Sequence, residues 1–531
     1  MMPTFIPHVS RTLASLLSGF LLVLAFPDSD VSWLAWVALV PLLLAILGAR
    51  PRFGFIAGLL FGACFFTGVC RWVFEVSKYN ISHHAIVSLI LGLPLGLFGW
   101  IFAYLAQKRG PATAFVAAPF AWTAVEFVRS NLSFLSLPWG FLAHTQHQTH
   151  FIIQIASLTG AYGVSFLVAT VNSALSAAAW ALACRFKLFH MPLLHASTRR
   201  TITAMLVVTI AAVVFVSAFG KFRLSMPLEG PQIRVSLVQG NIEQSKKWDP
   251  AYANYIVERY AELSREASKT RPDLIVWPEA ATPGFVLSNL SLLKRISSLI
   301  RETQTPFLMG STEYPKFKRS PDRPLHPGNT AIFFSPEAKV LGQYSKIHLV
   351  PFAEHVPYAN LIPWPRFIVP DNTKSYEALG REIVLFDLKG AKFGSLICWE
   401  TIFPDLFRRV VKGGASFVVN ITNEGWFKSP VIFQQYVAMN AFRAVENGVY
   451  LLRCANTGIT CIIDPYGRVL NRVRDEKGND IFLPGVLTGQ IIPIEGGTVY
   501  TRHGDLLAWI CIGCSIGFLL SAFLRKPSVA G

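Results

Sequence analysis

The chain has 531 residues, 52% of them hydrophobic and 15% charged, with a formal net charge of +17. A mean hydropathy of +0.43 excludes an ordinary soluble enzyme and indicates a polytopic membrane protein, with length left for a soluble domain of about 250 residues. The basic excess fits Lys and Arg at cytoplasmic loop ends and, secondarily, attraction to anionic headgroups; no compact basic cluster interleaved with aromatics supports nucleic-acid binding.

Apolar stretches fall at about 11–26, 32–49, 54–74, 84–106, 112–129, 151–183 (longer than one span needs), 201–219 and 506–524. They predict about eight spans. The first is read as an anchor and not a removed leader, because more spans follow and no small-residue cleavage site is present. Arg50, Arg52, Lys108, Arg109, Arg185, Lys187, Arg199, Arg200, Arg525 and Lys526 crowd one set of loops. The alternate loops carry Asp28, Asp30, Arg71, Glu75, Lys78, Glu126 and Arg129. The positive-inside rule then puts both termini in the cytoplasm and the segment 222–500 outside, the periplasmic face in a bacterium. The expected organisation is a seven-span domain over 1–221, an extracytoplasmic domain over 222–500, and an eighth span with a cytoplasmic tail over 501–531.

The 222–500 segment has a different texture. Strands are predicted at 232–239, 273–277, 306–310, 415–421, 449–454 and 459–464, and strands are expected to dominate from 328 to 397. Helices are predicted at 249–269, opened by Asp249-Pro250, and at 288–303, 404–412 and 431–447. The alternation argues an α/β domain with covered sheets. Residues 312–328 read as a surface loop.

Three islands in this segment each put an ionisable residue at or after an apolar run: Trp277-Pro278-Glu279, Lys346-Ile347-His348 and Cys398-Trp399-Glu400. A cysteine is nucleophilic only as thiolate, so it needs a nearby base or positive charge. Glu279 is a candidate base and Lys346 a candidate oxyanion stabiliser. Each residue alone also fits a plainer role: a buried strand-end thiol, an acid at a helix N-terminus, a solvated strand-end lysine.

Taken together, the three islands resemble the signatures of the nitrilase superfamily. Val238-Gln239-Gly240-Asn241 and Asn420-Ile421-Thr422-Asn423-Glu424-Gly425-Trp426-Phe427 extend the match over 230–495. With membrane spans on both sides, the layout resembles the apolipoprotein N-acyltransferase family. Asn241-Ile242-Glu243-Gln244-Ser245-Lys246-Lys247-Trp248, His348 to Pro357, Leu137-Pro138-Trp139-Gly140 and Tyr500 to Asp505 agree with it. The resemblance implies an αββα sandwich with Glu279 as base, Lys346 as oxyanion stabiliser and Cys398 as the acylated nucleophile. It implies supporting places for Glu354, Glu400 and Asn329, the two acids holding Lys346 charged and oriented. It further implies substrate-binding or gating aromatics at Trp248, Trp426, Trp399 and Trp139; for Trp248 an interfacial anchor competes with gating.

The implied reaction is ping-pong. An acyl chain passes from a phospholipid, typically phosphatidylethanolamine, to Cys398, and then to the α-amine of S-diacylglyceryl-cysteine on an apolipoprotein. No metal or dissociable cofactor is implied, and the expected protein is a monomer in the bacterial inner membrane. An amidase or nitrilase using water, and a non-enzymatic lipid receptor, are the rival expectations. Trp399 stands where many acyltransferase members carry Tyr, and Ala353 where Gly is usual. Cys511 and Cys514 read as packing residues. His83, His84, His144, His147 and His150 read as an interfacial polar loop with no accompanying carboxylate, and Glu126 and Arg129, one helical turn apart, as a pair or a headgroup contact.

Overall fold

The computed structural model describes residues 8–75, 79–187, 193–314, 327–365, 369 and 380–524. Most of the surface loop expected at 312–328, and the terminal Arg525 and Lys526, lie outside them. The chain divides into two compact units, 1–226 with 503–531, and 227–502.

The first unit is helical. Among the described residues six helices are long and apolar enough to cross a membrane: Pro51–Val69, Ile81–Arg109, Pro111–Ser130, Ala161–Arg185, Ala196–Leu224 and Leu506–Phe523. The first two expected spans are shorter. One is the helix His8–Leu24; the other breaks into a 3-10 turn, Ser32–Trp36, and the helix Val40–Ile46. Seven helical residues rise only ~10 Å. Buried side chains satisfy the backbone groups that the break frees. Asn172 accepts from the Leu39 N–H at 2.8 Å and donates to the Ala35 carbonyl at 2.8 Å, and Ser18 accepts from the Leu42 N–H at 2.8 Å. The long stretch at 151–183 divides at Gly160, whose φ of 68° separates the short helices His150–Ile153 and Ala156–Thr159 from Ala161–Arg185.

Helices Pro51–Val69 and Ile81–Arg109 meet along facing glycines. A Cβ on Gly54 would lie 2.5 Å from the Gly99 carbonyl oxygen, and one on Gly62 2.8 Å from Gly92 Cα. Four-residue spacing of small residues lets two backbones approach where lipid offers no hydrophobic drive. Hydropathy alone passes over that signal.

Polar residues of this unit find partners inside it. Glu126 accepts from Trp122 Nε1 at 3.0 Å and the Leu142 N–H at 2.9 Å, while Arg129 donates to the Leu137 carbonyl at 2.9 Å and lies over Phe66 and Phe141. Both side chains are buried, so the headgroup contact gives way to internal bonds that tie down the loop after Ser130. His147 Nε2 lies 3.0 Å from Asp30, which corrects the expectation that no carboxylate accompanies the histidines; chain folding brings together loops 117 residues apart. His144 stacks on Phe141, and Trp139 is buried against Trp72 with ring centroids 5.2 Å apart.

Among the described residues the second unit has twelve strands: β1 (Ile233–Gln239), β2 (Leu274–Val276), β3 (Phe307–Glu313), β4 (Gly328–Phe334), β5 (Val340–Ser345), β6 (Leu385–Leu388), β7 (Ala391–Ile397), β8 (Phe417–Thr422), β9 (Tyr450–Ala455), β10 (Cys461–Ile463), β11 (Val469–Arg472) and β12 (Gly485–Ile491). They form two six-stranded sheets, ordered β12-β1-β2-β3-β4-β5 and β11-β10-β9-β8-β7-β6. β1, β2 and β3 run parallel in the first sheet, as do β7, β8 and β9 in the second. The sheets face each other: Cys454 Sγ on β9 reaches the Val276 carbonyl on β2 at 3.3 Å, and Phe333 on β4 meets Phe393 on β7 edge-on.

Helices Ala253–Ser268 and Leu290–Thr303 cover the first sheet, packing Ile256, Tyr260, Ile296 and Ile300 against Trp277 and Phe307. Helices Pro404–Lys412 and Pro430–Asn447 belong to the second sheet, where Leu406, Phe407, Phe433 and Phe442 are buried. The result is an αββα sandwich. Between β5 and β6 the expected run of strands is not seen among the described residues. The described residues 346–365 make a loop with one isolated bridge, Pro351 to His355, because Pro351, Pro357, Pro363 and Pro365 remove ladder donors.

Candidate active site

Glu279 follows β2. Trp277 sets its place: the indole stacks on Tyr260 at 4.8 Å and its Nε1 donates to Ser264 at 2.9 Å. The chain then turns through Ala280, with φ of 44°, and returns to the sheet where the Ala281 N–H donates to the Gly310 carbonyl at 2.9 Å. Gly310 has to be glycine, since a Cβ there would strike the Pro278 carbonyl oxygen and lie 2.6 Å from Glu279 Cα. Glu279 does not open a helix, because the next one begins at Leu290. Its side chain is buried, accepting from Asn329 Nδ2 at 2.7 Å on one oxygen and the Asn423 N–H at 2.9 Å on the other.

Lys346 follows β5 and is held to that sheet by its own N–H, which donates to the Asn329 carbonyl at 2.9 Å. The side chain is buried, not solvated. Its ammonium lies 2.8 Å from Glu354 Oε1 and 3.5 Å from Glu279 Oε1. Burial opposes the charge, but Glu279 and Glu354 together hold the lysine well above its usual value. Glu354 is fixed in turn by the Val350 N–H at 2.8 Å, and Asn329 Nδ2 reaches it at 3.3 Å.

Cys398 follows β7 and starts a 3-10 turn, Cys398–Ile402. Its φ of 57° is a left-handed conformation that costs a non-glycine residue about 1–3 kcal/mol. Asn420 of β8 holds the turn by donating to the Leu396 and Cys398 carbonyls, each at 3.0 Å. Burial pushes the thiol up to about 12. The Glu279 charge adds to that, while Lys346 and the Thr422 hydroxyl oppose it. A thiol held in that range is neutral, and a neutral thiol attacks only once a base has taken its proton.

Glu400 joins the two sheets' contributions. It accepts from the Tyr344 hydroxyl at 3.0 and 2.9 Å, the Ile347 and His348 N–H groups at 2.7 and 3.0 Å, and the Ile397 N–H at 2.8 Å. It bonds the backbone beside Lys346 and the backbone beside Cys398, not the lysine ammonium itself. Burial pushes its carboxyl up to about 7, with these backbone donors and the Lys346 charge pulling the other way. The orienting contact expected of both acids is thus direct for Glu354 and indirect for Glu400.

Trp399 donates from Nε1 to the His348 carbonyl at 2.7 Å and packs edge-on against Phe403. Trp248 and Trp426 are exposed, at 53% and 60%. Trp139 lies in the helical unit. Several buried partners were not singled out from the sequence: Lys247, whose Nζ donates to the Glu279 carbonyl at 3.0 Å, Asn423, Tyr344, and the chain Asn420–Arg453–Glu424. Asn420, Asn423 and Glu424 lie inside a recognisable string, but nothing local tells which side chain turns inward.

A buried carboxylate, a buried ammonium and a neutral thiol in electrostatic reach of both can transfer an acyl group by covalent catalysis. A carboxylate so placed is able to take a thiol proton, and an ammonium to face an oxyanion. Among the described residues, no group of His, Cys, Asp and Glu is spaced to hold a metal.

Residues 18–174 match the apolipoprotein N-acyltransferase N-terminal domain, and residues 234–491 match carbon-nitrogen hydrolase. The apolipoprotein N-acyltransferase of Geobacter metallireducens is 36% identical over 97% of this chain and 95% of its own. That of Chlorobaculum tepidum is 30% identical, with 96% of each chain covered. Among solved structures, an amidase from Nesterenkonia sp. aligns with 54% of this chain and 98% of its own, at 18% identity and a TM-score of 0.37. The identity to these relatives runs through both the helical unit and the sandwich, and the chain belongs to the apolipoprotein N-acyltransferase family.

Proposed function

We propose that this protein moves an acyl chain from a phospholipid, through a thioester on Cys398, to the N-terminal α-amine of S-diacylglyceryl-cysteine on an apolipoprotein. Glu279 takes the Cys398 proton as Sγ attacks the sn-1 ester carbonyl, and Lys346 stabilises the oxyanion. The C–O bond breaks, Glu279 returns the proton to the glycerol oxygen, and the lysophospholipid leaves. The α-amine then attacks the thioester, Glu279 accepts its proton, the C–S bond breaks and the thiol is restored.

The observation that carries this reading is Lys346, buried and clamped between Glu354 at 2.8 Å and Glu279 at 3.5 Å, in a chain whose described residues also include six membrane-length apolar helices. Such helices suit substrates whose acyl chains lie in a bilayer, and weigh against water as acceptor. Phosphatidylethanolamine as donor, a monomeric state, and an inner-membrane location with the sandwich on the periplasmic side complete the proposal.

Intact-mass measurement after incubation with a phospholipid tests it. One added acyl group is expected, removable by hydroxylamine, absent in Cys398→Ser, and discharged by a diacylglyceryl-cysteine peptide. An unmodified wild-type protein, or discharge by water as fast as by the peptide, overturns it. For the topology, a reporter inserted in the exposed turn at 475–479 is expected to be active only outside the cytoplasm. Cytoplasmic activity reverses the assignment.

A further inference from the structure

Lys247 is a second buried lysine at the site, 3% exposed, between the half-buried Lys246 and the exposed Trp248. One turn of helix, Gln244–Lys247, aims it inward, and its Nζ donates to the main-chain carbonyl of Glu279 at 3.0 Å. The same turn reaches the base by a second route. Gln244 Oε1 accepts from Asn423 Nδ2 at 3.0 Å, and the Asn423 N–H donates to Glu279 Oε2 at 2.9 Å. Asn456 braces this bridge, donating to Asn423 Oδ1 at 3.0 Å and to the Ile242 carbonyl at 2.8 Å while accepting from the Ile242 N–H at 3.0 Å. The base is thus bonded to one short turn directly at its carbonyl, and linked to it at its carboxylate through Asn423. That turn ends in Trp248, and Asn423 lies three residues before Trp426.

A buried ammonium contributes more than a neutral donor would. Its charge favours negative charge on Glu279 and on the thiolate that forms when the proton moves, and it fixes the main chain from which the base projects. We propose that Lys247 is a positioning residue for the transfer step, holding Glu279 in place through its carbonyl and coupling the base to the Trp248 segment. The proposal rests on the acyltransferase reading above.

The titratable groups facing Lys247 are Glu279, after β2, and Cys398, after β7. On its own segment Glu243 pairs with Lys246. Lys346, after β5, is bound to Glu354 and Glu279, and Glu424, after β8, is bound to Arg453. Burial brings the Lys247 ammonium down to about 8, with Glu279 and Cys398 resisting. The positive charge is present below that pH and lost above it, so the acylation rate should fall as pH rises through about 8.

The test follows lysophospholipid release and thioester formation in the full-length protein in detergent–phospholipid micelles, from pH 6 to 9.5. Lys247→Met keeps the stem and removes the charge. It is expected to lower kcat by about 10-fold to 10²-fold with KM changed by less than about threefold, and to abolish the alkaline fall. Lys247→Arg keeps its charge across the range and is expected to retain more activity, with the fall moved beyond pH 9. A merely structural role would lower both variants without moving the profile. The same alkaline limb in wild type and Lys247→Arg overturns the proposal, and so does wild-type kcat in Lys247→Met. If Lys247→Met does not accumulate, the arginine profile alone decides. Wild-type protein that forms no thioester removes the acyltransferase reading and this proposal with it; thioester in wild type with unchanged variants removes this proposal alone.

Discussion

The Lys346 ammonium is bonded to Glu354 more closely than to Glu279, at 2.8 Å against 3.5 Å. Glu354 is therefore the closer anchor of the cation. Glu354→Gln removes one of the charges that raise the lysine's pKa and loosens the tether. Lysophospholipid release is expected to slow by less than the ~10²–10³-fold cost of deleting an oxyanion donor outright, with KM little changed. A variant at wild-type rate would remove Glu354 from the machinery.

The buried Cys398 thiol is pushed up to about 12, with Glu279 the leading charge behind burial. Glu279→Gln removes a negative charge, and an anion forms more readily without a like-charged neighbour, so the thiol pKa should fall. Thiolate absorbance at 240 nm, taken as the difference from Cys398→Ser, is expected to show a lower midpoint. Acylation should drop ~10²–10⁴-fold for want of a base. Falling reactivity alongside easier ionisation is the signature of a base; an unmoved midpoint would place the two groups apart.

Gly310 lies under the turn that carries Glu279. Gly310→Ala puts a methyl group 2.6 Å from Glu279 Cα, and a displacement of about 1 Å at a catalytic group costs ~10²-fold. Thioester formation is expected to fall by about that factor while the protein still inserts and accumulates. Undiminished thioester formation would show that the turn yields without moving the carboxylate.

In the helical unit, Gly54→Leu places a side chain where the Gly99 carbonyl oxygen stands 2.5 Å from a Cβ. Overpacking of this kind costs about 1–3 kcal/mol. A lower melting temperature in detergent is expected, whereas Val208→Leu, on an exposed stretch of Ala196–Leu224, should leave it unchanged. Equal melting of both variants would show that the close approach of the two helices contributes nothing to stability.

Trp399 spends its indole N–H on the His348 carbonyl, two residues beyond Lys346. Trp399→Phe keeps the ring against Phe403 and leaves that carbonyl short of a donor, at about 1–3 kcal/mol. The variant is expected to melt earlier and still form the thioester on Cys398. Loss of the thioester at unchanged stability would give Trp399 a part in the chemistry.

Much of this molecule is legible along the chain. Apolar runs of membrane length, the turn to mixed α/β texture after residue 222, and the islands around Glu279, Lys346 and Cys398 are local patterns, and hydropathy and short strings record local patterns well. The same local view carries Asp249 to a helix start, where its side chain accepts from the Ala251 N–H.

Other features depend on residues far apart in sequence. Asn172 breaks an apolar stretch more than a hundred residues upstream by taking over its backbone bonds. Glu126 and Arg129, neighbours on one helix, are drawn to different partners because burial rewards whichever donors and acceptors the fold presents. Glu400 stands two residues from Cys398 yet bonds the backbone beside Lys346, and Lys247 is aimed at Glu279 across 32 positions. The sequence by itself determined which groups the protein has for chemistry and that a membrane surrounds part of it. Only the tertiary structure decided which of those groups are buried together, because the energy of a charge depends on what replaces its water, and that is set by chain segments no local pattern connects.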